Sequence, residues 1–587
     1  MTYVRDAMPQ DATSRGPGSA FEWVEPAPLR DGLPQFHGDP LLHAILARRL
    51  ADAEDATDFL NADERPAPDP HLLPGMTEAA ARIGRALRRN EPIGVFGDYD
   101  TDGVTSSALL TLALRTASSG TQPVSVRLPR RREGYGLSET GVEDLAAAGA
   151  RLLVAVDCGS KDHAAIERAS QLGLDVVVLD HHRMTDAPPA HAIVASAQLR
   201  EDAPYTTVSA AGVAYLLATA LAHDGFDTGG GAGEEPTGLL DLAMIGLVGD
   251  VSPLSGVNRA LVRDGLRRLR QEPRPGLRAL CDCAGIAAST LTSTEIAFQV
   301  SPRLNAPGRL DDPRPAYELL ITHDPRQAAR LAEQAEQANQ RRKLLQDRVL
   351  REIEIELEAN PSRLDRRVLV FAGSGWQPGI VGLVASKLAD RHDRPVIVLT
   401  VSDGVAHGSA RSVPGFDITN ALSTIKSLLI RHGGHERAAG LALGASEVAH
   451  LDDALQAAIA ESGANPPGPP RLAIDADLDP ARLKLDVARL IQSLGPFGEG
   501  NPVPMLRVPR VPIRGYTAMG RGKQHLKILT AGEAGPVDAV MWSGASRSQE
   551  LIGARHVDLV GVLETNVWNG ATRVQVRLSD FRRATDS

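Results

Sequence analysis

Three short apolar runs, Ile93–Phe96, Leu152–Val156 and Val176–Leu179, are separated by segments of helical patterning that include Gly141–Ala148 and His163–Leu172. Runs with no polar alternation have no side to turn toward water, so each must be buried on both faces, as strands of a helix-covered parallel sheet are. Each run ends in acid: Asp98-Tyr99-Asp100-Thr101-Asp102-Gly103, then Asp157, then Asp180-His181-His182. In a parallel sheet all carboxyl ends point one way, and ligands of open α/β folds bind there. Residues far apart in sequence, Asp98, Asp100, Asp102, Asp157, Asp180, His181 and His182, are therefore expected to converge, with Asp250 joining them from the end of an apolar helix at Leu239–Val248.

Crowded carboxylates raise one another's pKa and stay ionised together only around a strong positive charge. Carboxylate oxygens with imidazole suit Mn²⁺ or Mg²⁺, and two such ions about 3.5–4 Å apart carry out in-line phosphoryl displacement. Metal-assisted phosphodiester hydrolysis is the chemistry this pattern predicts. Asp157 taken singly would read as a turn or helix N-cap, and His181-His182 as a polar loop. The acid box also opens like an EF-hand loop, but it follows a strand-like run and has Leu109 where the twelfth-position Glu belongs.

Composition bounds the setting. The 587 residues suggest about four domains. With 43% hydrophobic and 23% charged residues they fit a globular protein. No apolar run approaches the roughly 20 residues of a membrane helix. The acidic, Pro- and Gly-rich start lacks the order of a secretion signal, and three cysteines (Cys158, Cys281, Cys283) make neither a disulfide framework nor a zinc site, so a cytoplasmic protein is expected. A net charge of −10 opposes nucleic-acid binding only on average. Local sign decides, and Arg130-Arg131-Arg132, Arg303 and Arg309 are basic.

We expect an α/β protein with a tail at 1–38, a parallel-sheet catalytic domain at 39–325 opened by a helical lead-in from Leu41 to Leu60, and a connecting helix at 326–360. That helix is polar over most of its surface, as a helix bridging domains would be. A smaller α/β domain comes next at 361–465, with strands near Arg367–Phe371 and Pro395–Thr400 and glycine-rich turns at Gly375–Gly382, Gly408–Ser412 and Gly433-Gly434-His435. The last part, 470–587, alternates apolar and polar residues in short runs and reads as a small β-barrel of the OB-fold type. Tyr516, Trp542 and Trp568, with Lys523, His525 and Lys527, would suit stacking of bases and tracking of phosphates there.

The Asp-Tyr-Asp-x-Asp-Gly box, Asp157-Cys158-Gly159 and Asp180-His181-His182 resemble the motifs of the DHH phosphoesterase family. Further motifs resemble those of its single-strand-specific 5′ to 3′ DNA exonucleases: Arg131–Leu137, Pro302–Arg309, Gly433-Gly434-His435 with Ala438-Ala439-Gly440, Pro496–Pro502 and His525-Leu526-Lys527. The similarity spans roughly residues 40 to 580 in the family's order.

That resemblance implies two ions, Mn²⁺ or Mg²⁺: one on Asp102, Asp157, His181 and Asp250, the other on Asp100 and Asp157 with help from Asp98. Asp157 would bridge, His182 would face the scissile phosphate, and Asp180 would hold His181 in its metal-binding tautomer. The smaller α/β domain would be a DHH-associated nucleic-acid-binding domain, acting across a cleft from the metals. Arg131, Arg303, Arg309, Ser409, Arg411, Gly433, Gly434, His435, Lys527 and Trp568 would contact substrate.

Two departures stand out, Gln377 where the family usually has His and Ala195-Ser196-Ala197 where Asn-Pro is common. The implied activity is hydrolysis of single-stranded DNA to mononucleotides in repair and recombination, by a monomer working with a single-stranded-DNA-binding protein and a helicase. A phosphodiesterase of short or cyclic oligonucleotides is the enzymatic rival, disfavoured by the C-terminal barrel. A metal-free DNA-binding scaffold is the rival of another class, and the intact set Asp100, Asp102, Asp157, His181 and Asp250 speaks against it.

Overall fold

The computed structural model describes residues 21–29, 38–50, 59–60, 68–184, 186–461, 471–531, 535–568 and 571–584. The chain divides into two units. One is built from 61–344 with 496–501, and the other from 1–60, 345–495 and 502–587.

The first unit is a five-stranded, all-parallel sheet of β1 (Ile93–Phe96), β2 (Val124–Arg127), β3 (Leu152–Val156), β4 (Asp175–Leu179) and β5 (Ile193–Ala195), in the order β2-β1-β3-β4-β5. The runs predicted from sequence are its three central strands, and β1 and β3 are buried at every position. Its helices are α1 (Met76–Arg89), α2 (Thr101–Ala117), α3 (Glu139–Ala147), α4 (His163–Gln171), α5 (Ala210–His223) and α6 (Leu240–Gly249). Two clusters of buried side chains line the two faces of the sheet. Val95, Val154 and Val177 belong to one with α1, α2, α5 and α6, while Phe96, Leu153, Ala155, Val176 and Val178 belong to the other with α3 and α4. Helices α5 and α6 are nearly all apolar because neighbours cover them on every side.

Helix α7 (Pro325–Ala359) runs across the division at residue 344. In the second unit, β6 (Leu369–Ser374), β7 (Val396–Ser402), β8 (Val405–Arg411), β9 (Leu429–His435) and β10 (Ala438–Gly444) form a sheet of order β9-β10-β8-β7-β6. Only β6 and β7 pair in parallel, across helix α8 (Pro378–His392). The C-terminal strands β11 (Leu506–Met519), β12 (His525–Thr530), β13 (Asp538–Met541), β14 (His556–Trp568) and β15 (Ala571–Arg583) run β11-β12-β13-β15-β14, and pairing of β11 with β14 closes the barrel.

Two expectations change at the N-terminal side. Residues 22–24, placed in the tail, form a strand that pairs in parallel with 471–473, and Trp23 donates from its indole nitrogen to the buried Asp580 at 2.7 Å. The Arg582 guanidinium lies 4.0 Å from the same ring. The lead-in helix is Pro40–Arg49, and it belongs with the second unit instead of the catalytic domain: Arg49 pairs with Asp475 at 2.9 Å and Arg482 with Asp39 at 2.5 Å. Residues 1–20, 30–37 and 51–58, on which the rest of those two expectations fell, lie outside the described residues.

Candidate metal centre

The predicted acids and imidazoles do converge, at the carboxyl ends of β1, β3 and β4 and the C-terminus of α6. The acid box turns directly from β1 into α2. Asp100 is the N-cap, its carboxylate accepting from the Gly103 N–H at 3.1 Å. A side chain at position 103 would lie within 2.7 Å of the Asp98 backbone, so glycine is what lets the turn close. The box is braced from the Pro302–Arg309 motif, where the Asn305 side-chain oxygen accepts from Thr101 N–H at 2.8 Å.

Asp102 points the other way, onto the start of α5. It accepts from Ser209 Oγ at 2.8 Å, Ala210 N–H at 2.7 Å and Ala211 N–H at 3.0 Å. A carboxylate at a helix N-terminus is favourable, and three donors hold its orientation firmly.

Asp157 follows β3 with φ +62°, a left-handed conformation that few non-glycine residues adopt. It stands nearest His181, whose Nε2 is 3.2 Å from Asp157 Oδ1 and 3.8 Å from Asp102 Oδ2, while Nδ1 is 3.8 Å from Asp250 Oδ2. Asp250 sits at the C-cap of α6, the negative end of the helix dipole.

Asp98, Asp102, Asp157 and Asp180 are each 2% exposed. Burial, then repulsion from Asp100, pushes the Asp98 carboxyl well above the usual carboxylate range. Burial and the charges of Asp102, Asp100 and Asp98 do the same to Asp157. Asp250 is pushed up to about 8 by burial and by Asp102 and Asp100. Burial lowers His181 and so favours the neutral imidazole that a metal takes as ligand.

These donors fit a hard divalent cation. Ligand atoms of Asp102, His181 and Asp250 lie within 4.8 Å of one another, as do those of Asp98, Asp100 and Asp157, and those of Asp157, His181 and His182. Among the described residues Asp98 Oδ1 is buried with no hydrogen-bond partner, an acceptor in want of a cation.

The structure corrects one predicted role. Asp180 serves His182 and not His181: its Oδ1 is 2.8 Å from His182 Nδ1 and accepts from His182 N–H at 3.1 Å, while Oδ2 accepts from Ser160 N–H at 3.2 Å. Despite burial, these bonds hold Asp180 well below the usual carboxylate range. Burial alone would lower His182, but the bond and charge of Asp180 outweigh it and raise its pKa.

A second partner of His182 was not singled out from sequence. The Tyr135 hydroxyl lies 3.1 Å from the ring nitrogens and donates to Asp157 O at 3.2 Å. Tyr135 stands within the Arg131–Leu137 motif, which Asp162 anchors by accepting from Leu137 N–H at 2.8 Å and Gly159 N–H at 3.0 Å. Neither residue carries a periodic or compositional signal.

The expected substrate contacts divide. Arg131 lies beside the acid box, its guanidinium 4.5 Å from the Tyr99 ring and its charge acting on Asp98. Arg309, half-buried, is close enough for its charge to act on Tyr99. Arg303 does not face the site: it is buried, paired with Glu336 at 2.5 Å, and donates to Gln299 O at 2.7 Å. In the second unit Ser409 and Arg411 lie on β8 beside α8, and Gly433, Gly434 and His435 form the exposed end of β9. Gln377 is the N-cap residue of α8. On the barrel Lys527 pairs with Asp538 at 2.6 Å, Tyr516 and Trp542 are exposed, and His525 packs edge-on to Trp542 at 4.7 Å. The Trp568 side chain lies outside the described residues.

Acids from three strand ends and a helix end, disposed around half-buried imidazoles, define a metal-dependent phosphoesterase. The DHH family N-terminal domain matches residues 92–247, the DHHA1 domain 365–461 and the RecJ OB domain 474–580. The chain is 34% identical over 551 residues to the single-stranded-DNA-specific exonuclease RecJ of Bacillus subtilis (strain 168), covering 93% of this chain and 68% of that one. It is 33% identical over 549 residues to the protein of the same name from Dickeya dadantii (strain 3937), covering 86% of this chain and 90% of that one. The crystal structure of RecJ in complex with Mn²⁺ from Thermus thermophilus superposes with a TM-score of 0.77 at 30% identity, over 96% of this chain and 80% of that one. This chain belongs to the RecJ family.

Proposed function

We propose that the chain is a two-metal-ion exonuclease that hydrolyses single-stranded DNA from the 5′ end to mononucleotides. The observation that carries this reading is the set of overlapping donor groups around Asp157 and His181, in a chain that ends in an OB-type barrel. Asp102, Asp157, His181 and Asp250 would hold one ion and Asp100 and Asp157, with Asp98, the other. Bound there, the ions would generate a hydroxide nucleophile from water and neutralise charge on the attacked phosphate.

The chain's own groups orient the reaction. Asp102 is held by three donors at the start of α5, so its free lone pairs face His181 without reorganisation. His182, held by Asp180 and Tyr135, has its protonated form favoured by the Asp180 carboxylate and would offer a proton to a phosphate oxygen. Arg131 and Arg309 supply positive charge beside the acid box and steer the substrate's phosphates toward it. Ser409, Arg411, Gly433, Gly434 and His435 bind the strand through the second unit. Exposed Tyr516 and Trp542 stack bases on the barrel in a manner indifferent to sequence.

No helix among the described residues is long and apolar enough to cross a membrane. We place the enzyme in the cytoplasm as a monomer that meets a single-stranded-DNA-binding protein and a helicase in repair and recombination. A pull-down that captures neither would remove those partners.

Single strands labelled at either end and incubated with Mn²⁺ or Mg²⁺ test the activity. Stepwise loss from the 5′ end is expected. Digestion of only very short strands would indicate an oligonucleotide phosphodiesterase, and binding without digestion a DNA-binding scaffold.

A further inference from the structure

Residues 496–501 stand between two stretches of the second unit in sequence, yet they pack as part of the catalytic unit. They lie on the turn just beyond Asp250. Leu254 N–H donates to Glu499 O at 2.6 Å, Ser293 Oγ to Phe497 O at 2.6 Å, and the buried Arg259 reaches Pro496 O at 3.4 Å. Asn501, 2% exposed, folds the segment on itself, its side-chain nitrogen donating to Pro496 O at 2.8 Å. Gly500 has φ +73°, and a side chain there would meet Pro253 Cβ at 3.1 Å.

The turn beneath is strained. Helix α6 ends with Ser252 N–H on Leu247 O at 3.0 Å and Val251 N–H on Val248 O at 3.2 Å, the pair of bonds that a left-handed glycine usually completes. Here the left-handed residue is Val251, at φ +61°. A β-branched residue there is an outlier, and its side chain is 63% exposed, so no burial offsets the strain. Such a conformation persists only where its surroundings over-determine it. Ser252 Oγ donates to Asp250 Oδ2 at 3.1 Å and the Asn258 side chain to Pro253 O at 3.0 Å, and residues 496–501 close over the turn at Pro253 and Leu254.

We propose that residues 496–501 clamp the Val251–Leu254 turn and so aim Asp250 at His181, which makes Gly500, Asn501 and Ser293 positioning residues for one of the two ions. The proposal rests on the reading of Asp250 as a metal ligand. It also gives the Pro496–Pro502 motif a task in the catalytic unit, although its neighbour in sequence is the barrel.

Calorimetric titration of the full-length, metal-free chain with Mn²⁺, without DNA, tests it. Gly500→Ala, which the left-handed backbone resists, is expected to weaken one of the two sites by about tenfold, as loss of a ligand's support does, and to leave the other unchanged. Ser293→Ala, which removes only the hydroxyl on Phe497 O, moves the same site in the same direction by a smaller factor and decides the matter if Gly500→Ala fails to fold. Asp250→Ala is the control. If it leaves both sites intact, the assignment of Asp250 fails. If it removes one ion while the clamp variants bind as wild type, the clamp fails, and a clamp variant that weakens both sites equally has only a general structural effect and overturns the proposal.

Discussion

Replacing Asp157 by Asn should make the metal-free protein more stable. The ligand atoms of Asp98, Asp100 and Asp157 lie within 4.8 Å of one another. At about 4.8 Å and an effective dielectric of about 20, two full charges repel by about 3.5 kcal/mol, which is a ceiling because proton uptake relieves part of it. Asn removes the charge, keeps the shape, and is the non-glycine residue best suited to φ +62°. A gain of about 2 kcal/mol is expected, or about 4 °C in the melting midpoint of a unit of this size. Scanning calorimetry at pH 8 measures it, first in chelator and then in excess Mn²⁺. Wild type should gain about 2.7 kcal/mol at an ion concentration of about 100 times Kd, and the variant little if Asp157 serves both ions as proposed. An Asn variant that melts below wild type in chelator, or that gains as much from Mn²⁺, would contradict the placement of Asp157 among mutually repelling ligands.

Other outcomes rest on the same contacts. Asp157 and Asp98 have folded pKa values well above the unfolded carboxylate value near 3.8 and Asp250 one of about 8, so the folded metal-free protein holds extra protons; the stability these groups contribute, full below pH 3.8, should be lost as pH rises, the share of Asp250 by about pH 8, and added Mn²⁺ should remove the slope in urea titrations. Asp180→Asn should lower kcat through His182 while calorimetric Mn²⁺ affinity stays near wild type; a loss of about 10- to 100-fold in that affinity would restore a role at His181. Arg303→Ala leaves the Glu336 carboxylate with only the Gln340 side-chain donor and no counter-charge, and should cost about 3 kcal/mol in denaturant unfolding without raising the KM for DNA.

The parallel sheet was legible because burial on both faces leaves nothing but apolar side chains in a strand, and its acids were legible because they stand at the strand ends. Strand β11 was not. Its Pro509 and Pro512 argue against a paired strand, yet Pro509 falls in the register shift between Val508 and Val511, and Pro512, which pairs in register with His556, forgoes only its own N–H. The pairing of 22–24 with 471–473 joins segments some 450 residues apart, and no local pattern announces it. Arg303 looked like a phosphate contact within a basic motif because its partner, Glu336, is 33 residues away on another helix. The imidazoles of His181 and His182 lie side by side, their ring centroids 4.4 Å apart, and only the folded arrangement shows which of them Asp180 holds.

The claim on which the rest depends is that Asp157 is shared by two ions. Anomalous diffraction at the manganese edge, from crystals grown with Mn²⁺, reads this directly. Two peaks about 3.5–4 Å apart, both in contact with the Asp157 carboxylate and one of them with His181 and Asp250, are predicted. A single peak, or two peaks of which only one touches Asp157, would contradict it.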